Sequence, residues 1–338
     1  MTHEAKSLGC NRRQLLALAA SAAVAGPLGA QAQDRTHFAA RPLRVVVPFA
    51  AGGATDVIAR VLGERMGQRF GQSVVVDNKP GAAGLIAGEA VAKAQPDGMT
   101  ALLGTTSSML TNKYLYKKTP YDPLTDLTPL VRVCLAPIAL VVTADTPAQN
   151  LQEFMAWIQA MKGKLSYGSY GIGSHGQLAC TTLSEVGGAD MTHVAYKGEA
   201  PMVQDLIGGQ IQMAFASALQ VKGHLDAGKL RAIGTSGEKR MATLPKVPTL
   251  AEQGLKDEAY RVTGWLAVAA PGATPQPIID KLASEIQKAV QSPEVRERIV
   301  GMGFEVQDNG LPPAFNAAYR QELPIWYRLI KQSGAKLD

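Results

Sequence analysis

Residues 43–56 read Leu43-Arg44-Val45-Val46-Val47-Pro48-Phe49-Ala50-Ala51-Gly52-Gly53-Ala54-Thr55-Asp56, and they decide the fold class. A short apolar run closed by proline and paired glycine has the pattern of a buried strand and its turn. The period then changes. Val57, Ile58, Val61, Leu62, Met66 and Phe70 fall on one helical face, so a helix follows the strand. The same alternation continues with a strand at 73–76, a turn at Lys79-Pro80-Gly81 and a helix over 85–94, stopped by Pro96-Asp97-Gly98. Ala101-Leu102-Leu103-Gly104 is the third strand. Repeated βα units predict an open, mainly parallel sheet with helices on both faces.

A second series starts beyond 135–142, an apolar run long enough to pass from one lobe to another. Helices are predicted over 151–161, 177–186 and 201–207, and strands over 165–168, 192–196, 211–215 and 231–234. Residues 263–268 form a strand that returns to the first lobe, followed by an amphipathic helix carrying Ile278, Ile279, Leu282, Ile286 and Val290. A last helix runs through Trp326-Tyr327. Two crossings make two α/β lobes, the first of residues 33–137 plus 262–338 and the second of 138–261. A length of 338 residues fits that division, being more than one core usually holds.

Working outward to the N-terminus, Asn11-Arg12-Arg13-Gln14 precedes an apolar run over 15–24 and the small residues Ala30-Gln31-Ala32. These are the three parts of a cleaved export signal, which predicts residues 1–32 as a signal peptide cut near Ala32 and a periplasmic product. The paired arginines suit either a Sec or a twin-arginine route. The apolar run is too short for a resident membrane helix of about 20 residues. The whole chain carries +6 and the part after residue 32 carries +4, yet its positive charges are interleaved with acids, as in Glu294-Val295-Arg296-Glu297-Arg298. No basic stripe with aromatics appears, so no nucleic-acid partner is expected. Cys10 leaves with the signal. Cys134 and Cys180 read as buried thiols, with pairing in an oxidising compartment the alternative.

Ligands of open α/β sheets bind at the carboxyl ends of strands, where helix N-termini point into the crevice. Three glycine-rich loops lie at such ends: 48–56, 80–84 around Gly81, and 168–176. Each offers backbone N–H groups beside a positive helix end, suited to an anion. In the first, Thr55 or Asp56 is placed to cap the helix. Each glycine taken singly has the plainer reading of a tight turn; three such loops together favour a binding site. His175 is a polar contact within the third loop, while His193 reads as a core residue. Asp205 is either a ligand contact or a solvated helix position.

Other chemistries fit poorly. Gly171-x-Gly173-x-x-Gly176 has dinucleotide spacing, but its strand is weakly apolar and no acid follows about 20 residues on. Ser174-His175, with Asp190 or Asp205, invites a nucleophile reading, yet no Gly-x-Ser-x-Gly elbow surrounds a serine. The histidines 37, 175, 193 and 224 have no partners at metal-ligand spacing. Neither a cofactor nor a metal is expected.

Several segments together resemble the Bug solute receptors, the binding components of tripartite tricarboxylate transporters. They are residues 48–56; Asn78-Lys79-Pro80-Gly81-Ala82-Ala83-Gly84 with Ala94-Gln95-Pro96-Asp97-Gly98; residues 115–123; the loop 167–176; Ala195-Tyr196-Lys197-Gly198; residues 205–210; and residues 244–249. The resemblance implies a two-lobed type II periplasmic binding fold with a hinge. It implies that a small carboxylate (a dicarboxylate, aromatic acid or amino acid) is held mainly by backbone N–H groups and waters, without catalysis. The implied contacts are Phe49, Ala54, Thr55 and Asp56 in the first loop, Gly81 in the second, and Ser169, Gly173, Ser174 and His175 in the third. Thr105 to Ser107, Tyr196, Asp205 and Ser217 complete the walls. The implied partners are membrane permease subunits, with a sensor kinase as the alternative and an exported hydrolase as the contrasting class; a monomer is expected. Three positions depart from the pattern: Glu199 replaces a small residue, Ala216-Ser217 replaces a frequent acid, and His175 stands where proline is common.

Overall fold

The computed structural model describes residues 41–335. The export signal, its cut near Ala32, Cys10 and His37 lie outside the described residues. Strand β1 (Leu43–Val47) pairs in parallel with β2 (Val74–Asn78) on one side and β3 (Thr100–Thr105) on the other. Val46 and Val47 are fully buried, as a strand covered on both faces requires. The first sheet has the order β11-β4-β10-β3-β1-β2, with β4 at Leu127–Ala136, β10 at Gly264–Pro271 and β11 at Glu305–Val306. β10 lies antiparallel between β3 and β4.

The second sheet has the order β7-β6-β8-β5-β9, made of Thr192–Ala195, Ser166–Ser169, Met213–Ala216, Ala139–Thr143 and Leu230–Thr235. Here β5 is the strand running against its neighbours. Each sheet is therefore mainly parallel with one reversing interior strand, joined in the first sheet by the short antiparallel edge strand β11, and the molecule has the two lobes expected. The apolar run 135–142 is divided. Its first part ends β4 in the first sheet, its last part is β5 in the second, and Pro137-Ile138 stand between them. Pro137 has no N–H to give to either ladder, which suits it to the gap.

The helices follow their apolar faces. α1 (Ala54–Phe70) buries Ile58, Val61, Leu62 and Met66, and stops at Gly71 in the left-handed conformation. α2 is Leu85–Ala92. α3 (Leu151–Ala160) is capped by Asn150, which accepts from the Glu153 amide at 3.0 Å, while the Glu153 carboxylate accepts from the Gln149 amide. α4 (His175–Val186) and α5 (Glu199–Ile207) each begin two residues earlier than the sequence predicts. In α4 the cap is Ser174; in α5, Pro201 falls in the first turn, where its missing N–H costs nothing. α6 (Ala218–Asp226) and α8 (Pro293–Gly301) were not foreseen. Between them lies the predicted α7 (Gln276–Val290), packed on α1 and β4. α9 (Pro312–Gln332) covers β4 and buries Phe315 and Trp326. Cys134 and Cys180 are unpaired and fully buried, and burial pushes both thiols well above their usual range.

Candidate ligand pocket between the two sheets

Three helix N-termini converge where the sheets face each other. β1 hands the chain through Phe49 and Gly52-Gly53 to α1, whose cap residue is Gly53 and whose first residue is Ala54. Thr55 and Asp56 are therefore not caps, correcting the sequence reading. Asp56 lies in the third helical position and its carboxylate reaches back to accept from the Gly52 amide at 2.9 Å. It also takes Arg60 at 2.9 Å and the Asn78 amide at 3.0 Å. Burial opposes its charge, but these donors hold its pKa below the usual carboxylate range. From the second sheet come α5, starting at Glu199, and α6, whose N-cap position is Ser217.

The pocket between them is lined from the first lobe by Phe49, Ala54, Thr55, Thr105, Thr106 and Ser107, with Gly264, Trp265 and Leu266 from β10. The second lobe contributes Tyr170, His175, Glu199 and Ser217; Ala136, Ile138 and Phe304 close the remainder. Trp265 is fixed from behind: its indole N–H donates to Glu322 at 2.7 Å and its ring meets Phe315 edge-on. The Thr106 hydroxyl accepts from the Trp265 amide at 3.1 Å, so its own proton remains to donate. Thr105 and Ser107 share a hydroxyl bond of 2.9 Å.

Of the residues named from sequence, Phe49, Ala54, Thr55, Thr105, Ser107, His175 and Ser217 line this pocket. Gly81 and Tyr196 line an adjoining one, with Pro48, Ala83, Tyr116 and Ile172. The edge-on pair Phe49–Tyr170, with ring centres 6.0 Å apart, borders both. Asp56, Ser169, Gly173, Ser174 and Asp205 line neither. Ser169 is fully buried, its hydroxyl bonded to His193 at 2.7 Å and to the Gly171 carbonyl. Ser174 caps α4, and Asp205 accepts from the Tyr196 hydroxyl at 2.8 Å. With burial, that carboxylate pushes the Tyr196 phenol up to about 12.

The third loop also departs from expectation. The Gly171 amide bonds the Ser169 hydroxyl, the Gly173 amide the Gln177 side chain at 2.6 Å, and the Gly176 amide the Tyr170 hydroxyl. The Ser174 amide donates to the Gly171 carbonyl. These donors are therefore taken within the protein rather than offered to a ligand. What the loop does present is the Tyr170 ring and, beside it, His175. Its Nε2 lies 2.9 Å from the Ala259 carbonyl, an acceptor, so Nε2 carries the proton and Nδ1 is a bare acceptor. Nδ1 is buried with no partner, so His175 does not activate Ser174. Burial lowers the imidazole to about 4, keeping it neutral near pH 7.

Glu199 was noted in the sequence only as a departure, and here it is central. Its carboxylate accepts from the Ser217 amide and hydroxyl, each at 2.9 Å, and from the Ala54 amide across the lobes. Burial raises its pKa and the three donors oppose that rise. Further bonds join the lobes: Ala50 amide to Lys197 carbonyl at 3.0 Å, and Gln220 side chain to Gly52 carbonyl at 2.8 Å. Tyr170, inside a quoted loop, was within reach of sequence reasoning. Trp265 and Phe304 carry no local signal and needed the tertiary fold. Among the described residues no cluster of His, Cys, Asp or Glu is arranged for a metal, and no helix is long and apolar enough to cross a membrane.

Comparison with known proteins follows the same outline. Residues 58–334 match the tripartite tricarboxylate transporter family receptor. The UPF0065 protein of the tcbD-tcbE intergenic region in Pseudomonas sp. is 35% identical over 320 residues, covering 94% of each chain. The solved periplasmic binding protein BugD is 36% identical with a TM-score of 0.83, over 88% of this chain and 99% of its own. An R. palustris protein solved with adipate is 32% identical, with the same TM-score and the same coverage of the two chains.

Proposed function

We propose, from the premise that this chain belongs to the tripartite tricarboxylate transporter receptor family, that it captures a small carboxylate in the periplasm for the membrane components of such a transporter. The observation that carries the proposal is the interlobe pocket. Hydroxyls of Thr55, Thr105, Thr106 and Ser107 from one sheet face the α5 and α6 N-termini and Tyr170 from the other. The 32% identical R. palustris relative with adipate supports an organic acid as the ligand class.

The chain is exported with its signal cleaved near Ala32, and the protein acts as a monomer. The hinge lies at 137–138 and at 261–263, where the chain passes between the sheets. The ligand bridges both lobes, and the closed state is favoured because only it presents both walls at once. Micromolar capture needs about 8 kcal/mol net. A few charge-assisted hydrogen bonds of about 1.5–3 kcal/mol each, with burial against Phe49 and Trp265, reach that range. No turnover is expected. The test is a thermal-shift screen of the purified protein against small carboxylates. At a ligand concentration of 100 Kd the native state gains about 2.7 kcal/mol, so a binder raises Tm visibly. A screen in which no acid raises Tm overturns the proposal.

A further inference from the structure

The pocket holds a carboxylate of its own. Glu199 is the first residue of α5, and its two oxygens take the Ser217 amide, the Ser217 hydroxyl and the Ala54 amide. Ser217 holds the N-cap position of α6 and Ala54 opens α1, so the carboxylate of α5's first residue takes donors from the starts of two other helices and fills the corner that would attract an anion. A ligand carboxylate placed there finds the Ser217 and Ala54 amides already taken and faces the Glu199 carboxylate itself.

A second group in the pocket asks for the opposite chemistry. His175 is 5% exposed, its Nε2 proton is directed to the Ala259 carbonyl, and its Nδ1 lone pair has no partner. A buried acceptor left unpaired costs about 1–3 kcal/mol, which a donor in the ligand would recover. The hydroxyls of Thr105, Thr106 and Ser107 remain for one anionic group, and Phe49, Trp265 and Phe304 supply an apolar middle.

We infer that this receptor selects a monocarboxylic acid whose other end carries a hydroxyl or amino hydrogen-bond donor, and discriminates against a second carboxylate. The inference rests on the carboxylate-receptor reading and narrows its ligand class. Glu199 fills the second-anion position from within, and His175 reads the donor.

Matched probes separate the two levels. Hexanoate, 6-hydroxyhexanoate and adipate share one chain length; benzoate, 3-hydroxybenzoate and isophthalate form an aromatic set. Affinities measured by calorimetry on the purified protein are expected to favour the hydroxy acid over both set-mates by at least tenfold in one set. In Glu199→Ala the freed amides raise diacid affinity at least tenfold, and in His175→Phe the hydroxy acid loses its advantage over the plain monoacid. A diacid that binds wild-type protein as well as the hydroxy acid overturns the inference and leaves the receptor reading standing. No binding by any of the six to wild type or variants overturns both. If Glu199→Ala does not fold, Glu199→Gln decides in its place, because its amide N–H₂ offers a donor to the diacid: an unchanged ranking overturns the role given to Glu199.

Discussion

Loops 48–56 and 168–176 look alike in sequence, each glycine-rich and each ahead of a helix, yet they serve the pocket differently. The first turns outward. Its Gly52 carbonyl meets Gln220 and its Ala54 amide meets Glu199, both from the opposite lobe. The second turns inward: the amides of Gly171, Gly173, Ser174 and Gly176 all bond within the loop and the start of its own helix. Glycine brings backbone close to a site, but a side chain such as Gln177 or Tyr170 decides whether the N–H is available. Tyr170 and His175 carry the second loop into the pocket, and of the two only His175 brings a buried polar atom with no partner.

That exception gives the largest expected effect. Native His175 stays neutral down to about pH 4, whereas in the unfolded chain it takes a proton below about 6.5. The unfolded state thus binds more protons in that window, so stability falls as pH drops from 6.5 to 4 and this loss is complete below it. The difference corresponds to about 3 kcal/mol. Urea titrations at pH 7 and pH 4 are expected to show His175→Gln losing about that much less than wild type between the two. Equal losses would place the neutral imidazole's burial in doubt. His193, also lowered by burial, adds to the acid sensitivity of both proteins alike.

The contrast also predicts unequal tolerance of a methyl group. Both Gly52 and Gly173 have positive φ, 84° and 77°. A Cβ on Gly52 would meet nothing nearer than the Ala200 Cβ at 4.0 Å, while one on Gly173 would sit 2.7 Å from Leu115 Cδ2. Gly52→Ala is therefore expected to cost only the left-handed backbone penalty, about 1 kcal/mol. Gly173→Ala adds overpacking and is expected to reach about 2–3 kcal/mol. Denaturant midpoints check the order; a costlier Gly52→Ala would reverse the assignment of which loop is packed inward.

Fold was the more legible property. The run 43–47 and the face Val57 to Phe70 are local patterns set by burial, and they produced β1 and α1 where expected. α8 was missed because Glu294, Arg296, Glu297 and Arg298 mask a narrow apolar face of Val295 and Ile299. At the pocket, residues of all three glycine loops line it or the adjoining one. The partners of each amide were not legible, because Gln177 is four residues from Gly173 and Glu199 is far along the chain from Ala54. Trp265 reaches the pocket only because β10 returns between β3 and β4.

Ser174 gives the smallest and most discriminating test. Its hydroxyl accepts from the Gln177 amide at 3.3 Å, a long cap bond, and it lines neither pocket. Removing an N-cap serine costs about 1 kcal/mol, and a weak bond places this one at or below that. Ser174→Ala is thus expected to lower stability slightly and to change ligand affinity less than threefold. Ser217→Ala removes a donor to the Glu199 carboxylate inside the pocket, so affinity should move with it. Both residues hold the N-cap position of a helix, but the Ser174 hydroxyl bonds its own helix while the Ser217 hydroxyl is given to Glu199. If Ser174→Ala weakened binding as much as Ser217→Ala, the inward-facing description of the second loop would fail.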